Sequence, residues 1–227
     1  MIAQGILAIY GLGPGVEAFS TTRQFPRAGH RQMLERFGIA PENVAAVKQV
    51  HGSEVAQIRS AEAKPSVAFE ADGLMTDVPG LVLSVLTADC LPVFFFDPGG
   101  PAVGIAHAGW RGLRAGILEK TVALLRRNFD GRFETMRAAF GPAIRKCCYE
   151  VGSEFADYFP QSFSSGPIPG KGMMDLSSEA RARLEAAGLL PGHISDSSIC
   201  TACQDSQFFS ARRGDAAERI FSFIRIS

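Results

Sequence analysis

The stretch Leu81-Val82-Leu83-Ser84-Val85-Leu86-Thr87-Ala88-Asp89-Cys90-Leu91-Pro92-Val93-Phe94-Phe95-Phe96 decides the fold class. Two short apolar runs, 81–86 and 93–96, flank a small polar break, and runs of that kind suit strands buried on both faces. Residues 101–106 read as a third such strand. After Gly112 the period changes. Leu118, Val122, Leu125 and Phe129 recur at spacings of 4, 3 and 4, which places them on one face of a helix. Arg126 and Arg127 suit the negative end of its dipole, and Asp130-Gly131 ends it. Working outward, residues 2–10 read as an opening strand that stops at Gly11, Gly13 and Gly15. Residues 30–37 form a short helix stopped by Gly38, and 44–50 a strand running into His51-Gly52. Residues 177–187 form a helix stopped by Gly188, and 219–226 a closing strand. The Ser/Gly/Pro-rich segment 162–172 reads as a loop. Strands dominate and helices are interspersed irregularly, so the expected class is α+β (mixed α/β), with mixed β-sheets flanked by helices. With no linker, repeat or low-complexity run, one domain over 1–227 is expected.

The chain has 227 residues, with 23 Lys+Arg balanced by 23 Asp+Glu. That balance offers no basic footprint for nucleic acid and no polybasic patch for anionic lipid. The apolar N-terminal segment lacks the charged start of a signal peptide, because its first basic residue is Arg23. The longest apolar stretch is broken by Ser84, Thr87, Asp89 and Pro92, too soon for a membrane span. Five cysteines, an odd number in a chain that needs no disulfide staples, suit reduced thiols. A cytoplasmic protein without nucleic-acid or membrane partners is expected.

Three side chains stand out: His51 in Lys48-Gln49-Val50-His51-Gly52, Cys90 in Thr87-Ala88-Asp89-Cys90, and His107 in Ala106-His107-Ala108-Gly109-Trp110. Each follows a predicted strand, and strand ends deliver side chains to a common crevice. Small neighbours leave room for a ligand to approach. Two imidazoles and a thiolate are a competent set for zinc, and three protein donors with one open position is the catalytic pattern. Spacing alone identifies no metal motif, since cysteine and histidine are also ordinary core residues. A Cys–His dyad, with Asp89 or another acid orienting the imidazole, accounts for the same residues as a thiol hydrolase.

Asp72-Gly73-Leu74-Met75-Thr76, the stretch 84–92, Gly104-Ile105-Ala106-His107-Ala108-Gly109-Trp110-Arg111-Gly112, Gly141-Pro142-Ala143-Ile144 and Cys147-Cys148-Tyr149-Glu150-Val151-Gly152 occur in that order. Together they resemble the YfiH-type purine nucleoside phosphorylases, also described as laccase-domain or multicopper polyphenol oxidase proteins. The resemblance spans residues 20–213. It implies a YfiH-like mixed α/β domain with a metal, zinc or alternatively copper, held by His51, Cys90 and His107. It also implies phosphorolysis of adenosine, inosine, guanosine or methylthioadenosine, with adenosine deamination; the partners are then purine nucleosides and phosphate. Two departures stand out. Ser20-Thr21-Thr22-Arg23 leads almost directly into the helix around Met33, without the family's glycine-rich segment, which removes one wall of the pocket. After Phe208-Phe209-Ser210-Ala211-Arg212-Arg213 the usual Thr-Gly-Arg is replaced by Ala216-Ala217-Glu218-Arg219.

Deamination requires an activated water at purine C6 and an acid to move its proton. Asp89 and Asp72 are the candidates, Asp89 alternatively orienting a ligand and Asp72-Gly73 alternatively forming a turn. Phosphorolysis requires a cation for a phosphate dianion. Arg111 ahead of a helix is the best placed, with Lys48 and Arg23 behind it, although each also suits a surface ion pair. Cys90 is a candidate nucleophile as well as a ligand. Cys147-Cys148 and the Cys200-Thr201-Ala202-Cys203 pair read as packing or pocket lining, because no second CxxC accompanies the first and the zinc-deaminase signature fails. Alternatives to the metal-dependent enzyme are a Cys90 hydrolase editing cell-wall precursors, a role also proposed for relatives, and a nucleoside-binding protein without turnover. Phenol oxidation is disfavoured, since His30, His51, His107 and His193 cannot furnish both a blue copper site and a trinuclear cluster.

Overall fold

The computed structural model describes residues 2–60, 69–215 and 217–227. Two six-stranded sheets form its centre. The first runs in the order Ile2–Ala3, Ile6–Ala8, Val16–Thr21, Ile220–Ile226, Val82–Thr87, Val44–Ala45. The second runs Ile194–Asp196, Arg137–Phe140, Leu91–Asp97, Ala102–Ala108, Gly73–Thr76, Val55–Gln57. Both mix antiparallel and parallel pairs. The α+β class with sheets flanked by helices therefore holds.

Alternation along the strands explains the layering. Phe94 and Phe96 join Leu83, Val85 and Ile224 in the core between the two sheets. Val93 and Phe95 point the other way, onto Ile117, Leu118, Val122 and Leu125 of the helix Ile117–Phe129. This strand is thus buried on both faces, as its unbroken apolar run requires. The outer face of the first sheet packs Val82, Phe221 and Phe223 on Met33 and Leu34 of the helix His30–Arg36.

Several elements differ from expectation for identifiable reasons. The opening strand is two, because Gln4 and Gly5 have φ of 53° and 82° and turn the chain. Of residues 44–50 only Val44–Ala45 join a ladder. Beyond them the Gln49 side chain takes both backbone groups of Leu86, each at 2.8 Å, and the following amides turn to a buried carboxylate. The 162–172 segment is a loop only over 166–170: Phe163–Ser165 pairs antiparallel with Lys171–Met174 in a small third sheet. Asp175 caps the later helix, Leu176–Ala186, accepting from Ser178 N at 3.0 Å. No helix among the described residues is long and apolar enough to cross a membrane.

Phe94 has no solvent exposure and sits between the sheets. Phe94→Ala is expected to lower unfolding free energy by about 3–5 kcal/mol, read from urea melts, through lost burial and a residual cavity.

Candidate metal centre

The site starts from a strand register. Gly73 pairs with Ala106, and the next step places Asp72 beside His107, whose N–H donates to the Asp72 carbonyl at 2.7 Å. Both side chains stand on one face and meet: His107 Nδ1 lies 2.7 Å from Asp72 Oδ1. The same carboxylate accepts the N–H groups of Val50 (3.1 Å), His51 (3.0 Å) and Gly52 (2.6 Å). These bonds curl the chain so that His51, at φ 61°, leaves any ladder and turns back over the sheet. The His51 and His107 rings end up 4.7 Å apart, edge to face. Cys90 enters from the turn between Val82–Thr87 and Leu91–Asp97. Each of the three side chains offers a donor atom within 4.8 Å of the others.

That group can bind a metal ion. His107 is 3% exposed, and its Nδ1 is committed to Asp72, so Nε2 is the nitrogen left to coordinate. A carboxylate behind a ligand imidazole fixes its tautomer and raises its basicity. Burial alone pushes the Cys90 thiol up, yet hydrogen bonds from His107 and His51 outweigh it and bring the thiol down to about 6. Burial likewise works against a charged His107, but Asp72 and Cys90 raise it to about 9. A thiolate is the form that ligates. Space here is tight: a Cβ on Gly109 would come within 2.9 Å of Cys90 Sγ and 3.4 Å of His51 Cδ2.

The three donors line a cleft of about 550 Å³ together with Arg27, Lys48 and Arg219. Lys48 borders the cleft, with its Nζ paired to Glu70 at 2.8 Å. The other candidates sit elsewhere. Asp72 is wholly buried behind His107, bonded to that ring and to the 50–52 amides, and is not exposed to a substrate. Asp89 is no free acid: Thr201 Oγ1 (2.6 Å) and Arg212 N (2.8 Å) occupy its two oxygens. Its φ of 84° takes it out of the extended backbone conformation. The carboxylate behind the imidazole is therefore Asp72. Arg23 is paired with Asp215 and lies over the Phe209 ring, in a different hollow. Arg111 stacks on Trp110 at 4.3 Å and does not line this cleft. Arg27 and Arg219 escaped sequence reading: Arg27 opens a single-turn 3-10 helix, Arg219 lies in an irregular connection, and neither belongs to a motif. Arg27 stands where the glycine-rich segment was missing and Arg219 where the C-terminal pattern departs.

The family model described as multi-copper polyphenol oxidoreductase laccase matches residues 26–227. The chain belongs to this family. Escherichia coli YfiH, a purine nucleoside phosphorylase, is 36% identical over 200 residues, covering 86% of this chain and 79% of that protein. Adenosine deaminase RL5, from an unknown prokaryotic organism, is 33% identical over 234 aligned positions, covering 88% of this chain and 89% of that protein. The crystal structure of YlmD from Geobacillus stearothermophilus superposes with a TM-score of 0.90 at 28% identity, covering 100% of this chain and 97% of that one.

Two outcomes test the centre. Asp72→Asn is expected to weaken metal binding by about 10–100-fold in competition titrations, because the amide no longer fixes His107. In chelator-treated protein, alkylation of Cys90, followed on its own peptide, rises with pH through a midpoint near about 6. The sign follows from the thiolate being the nucleophile, and His107→Ala moves the midpoint upward.

Proposed function

We propose that this protein is a zinc-dependent purine nucleoside phosphorylase that also deaminates adenosine, acting as a single domain in the cytoplasm. The observation that carries the reading is the His51–Cys90–His107 group at a cleft bordered by Arg27, Lys48 and Arg219. The activities of the E. coli and RL5 relatives support it. Zinc fits two imidazoles and one thiolate, and when bound supplies a Lewis acid with an open position. Copper is the alternative occupant, since the same donors suit a blue-type centre. A larger copper cluster finds no support among the described residues, since neither His30 nor His193 joins the His51–Cys90–His107 group.

Phosphorolysis joins a phosphate oxygen to ribose C1′ as the bond to the base nitrogen breaks and its electron pair leaves with the base. The phosphate arrives as an anion, and Arg27, Lys48 and Arg219 give the cleft the charge to hold it. Asp72 holds His107 in one tautomer throughout, so the imidazole does not drift as charge develops on the sugar. Gly109, lacking a side chain, lets Cys90 and His51 pack closely against its backbone. Asp89 keeps the Cys90 turn fixed through Thr201 and Arg212.

Incubation with adenosine and phosphate is expected to release adenine and ribose 1-phosphate, with inosine from deamination. No product above a His107→Ala control contradicts the reading. Arg27→Ala and Lys48→Ala should each raise KM for phosphate about tenfold or more, the loss of one charge-assisted hydrogen bond, with a smaller effect on nucleoside KM.

One geometric feature favours a second reading. Cys90, His107 and Asp72 are arranged as nucleophile, base and orienting acid. A thiol hydrolase of this kind keeps its activity in chelator, whereas the phosphorylase loses it and recovers on adding zinc.

A further inference from the structure

Away from the cleft, the described residues bring together a second set of soft donors. Cys203 Sγ lies 3.4 Å from Cys147 Sγ and 3.3 Å from Cys148 Sγ, and with Cys200 all four sulfurs fall within 4.8 Å of one another. We propose that Cys147, Cys148, Cys200 and Cys203 bind one structural zinc ion that clamps two surface turns together, separate from the His51–Cys90–His107 centre. Cys200 and Cys148 do pack on the core as expected, and they also bring their sulfurs to those of Cys147 and Cys203. The missing second CxxC is replaced by an adjacent pair from another part of the chain.

The sulfur geometry suits that ion. A tetrahedral four-thiolate zinc with bonds of about 2.3 Å has sulfurs about 3.8 Å apart. The two shortest separations, 3.3 and 3.4 Å, fall somewhat below that value, and no pair exceeds 4.8 Å. Four protein donors close the coordination shell, which is the structural pattern and leaves no position for chemistry. Thiolates select zinc over magnesium or calcium, which take oxygen. Cys203 also touches two partners at once, a contact that a single disulfide leaves half unused. All four cysteines are free thiols.

The backbone holds the sulfurs together by other means, so the site is preformed. Ala143 and Cys200 form a parallel bridge, and Thr201 N donates to the Ala143 carbonyl at 3.1 Å. Arg145, only 9% exposed, grips Asp196 with two bonds of 2.7 and 2.8 Å and also bonds the Gly141 and Ile199 carbonyls. Gln204 N returns to the Cys200 carbonyl at 3.0 Å, which folds the CxxC into a tight turn with both sulfurs on one side. Both turns reach the catalytic cleft's neighbourhood. Thr201 carries the bond to Asp89, and Tyr149 follows Cys148 directly. A metal here stabilises the turn that positions Cys90 without contacting the substrate.

The test is cobalt reconstitution of the full chain purified in reductant, with metal content measured by mass spectrometry. Wild type is expected to bind one equivalent that depends on these cysteines and shows the intense visible bands of tetrahedral four-thiolate cobalt. The Cys147→Ser/Cys203→Ser double variant loses those bands and that equivalent, whereas His107→Ala keeps both. Cys147 and Cys203 are exposed, so their replacement removes little packing. Should the double variant not fold, Cys203→His retains a donor and is expected to bind one equivalent with its bands shifted to higher energy. The proposal is overturned if the bands persist in the double variant, if they do not shift in Cys203→His, or if wild type shows none. It is equally overturned if the reduced protein carries disulfides among these residues. Because His107→Ala separates the two sites, failure here is distinguishable from failure of the phosphorylase reading.

Discussion

A single buried carboxylate organises the active region. Asp72 has no solvent exposure, yet accepts hydrogen bonds from the His107 imidazole and from three successive backbone amides at residues 50–52. An unpaired charge at such depth would cost several kcal/mol, so those partners are a condition of the fold. Its carboxyl group is held below the usual range: burial pushes it up, and the His107 bond and the Gly52 and Val50 amides together push it further down. Because one group orients His107 and bends the chain at His51, both imidazoles are set by the same interaction. Stability tied to that depressed group is present above its ordinary value and is lost as pH falls through the lower one.

Around this carboxylate the fold brings in parts that are distant in sequence. The second sheet supplies His107, a turn leaving the first sheet supplies Cys90, and an irregular segment pinned by Gln49 supplies His51. Asp89 performs a comparable task one residue before Cys90, tying its turn to Thr201 and Arg212. The cysteine cluster sits behind Thr201, so the two candidate metal sites are linked through one short connection.

Much of this was legible in the sequence, and the gaps have physical causes. The doubly buried strand at 91–97 announces itself by an apolar run without alternation, and the long helix by its 4-3-4 spacing. His51, Cys90 and His107 were identifiable because each stands beside small residues after a strand-like run. The role of Asp72 was not, because Asp-Gly is usually a turn and only the pairing of Gly73 with Ala106 brings the carboxylate to His107. Arg27 and Arg219 carry no local pattern, since their meeting at the cleft depends on tertiary folding alone. The four-cysteine group was missed for the same reason: a CxxC appears incomplete until a second pair, about fifty residues away in sequence, folds onto it.

Anomalous scattering from crystals of zinc-loaded protein, recorded on both sides of the zinc edge, tests the account most directly. The account predicts a peak within bonding distance of a His51 ring nitrogen, Cys90 Sγ and His107 Nε2, with the fourth direction open toward Arg27, Lys48 and Arg219. Zinc-loaded crystals with no peak among those three donors, or with a fourth protein ligand closing the shell, would contradict it.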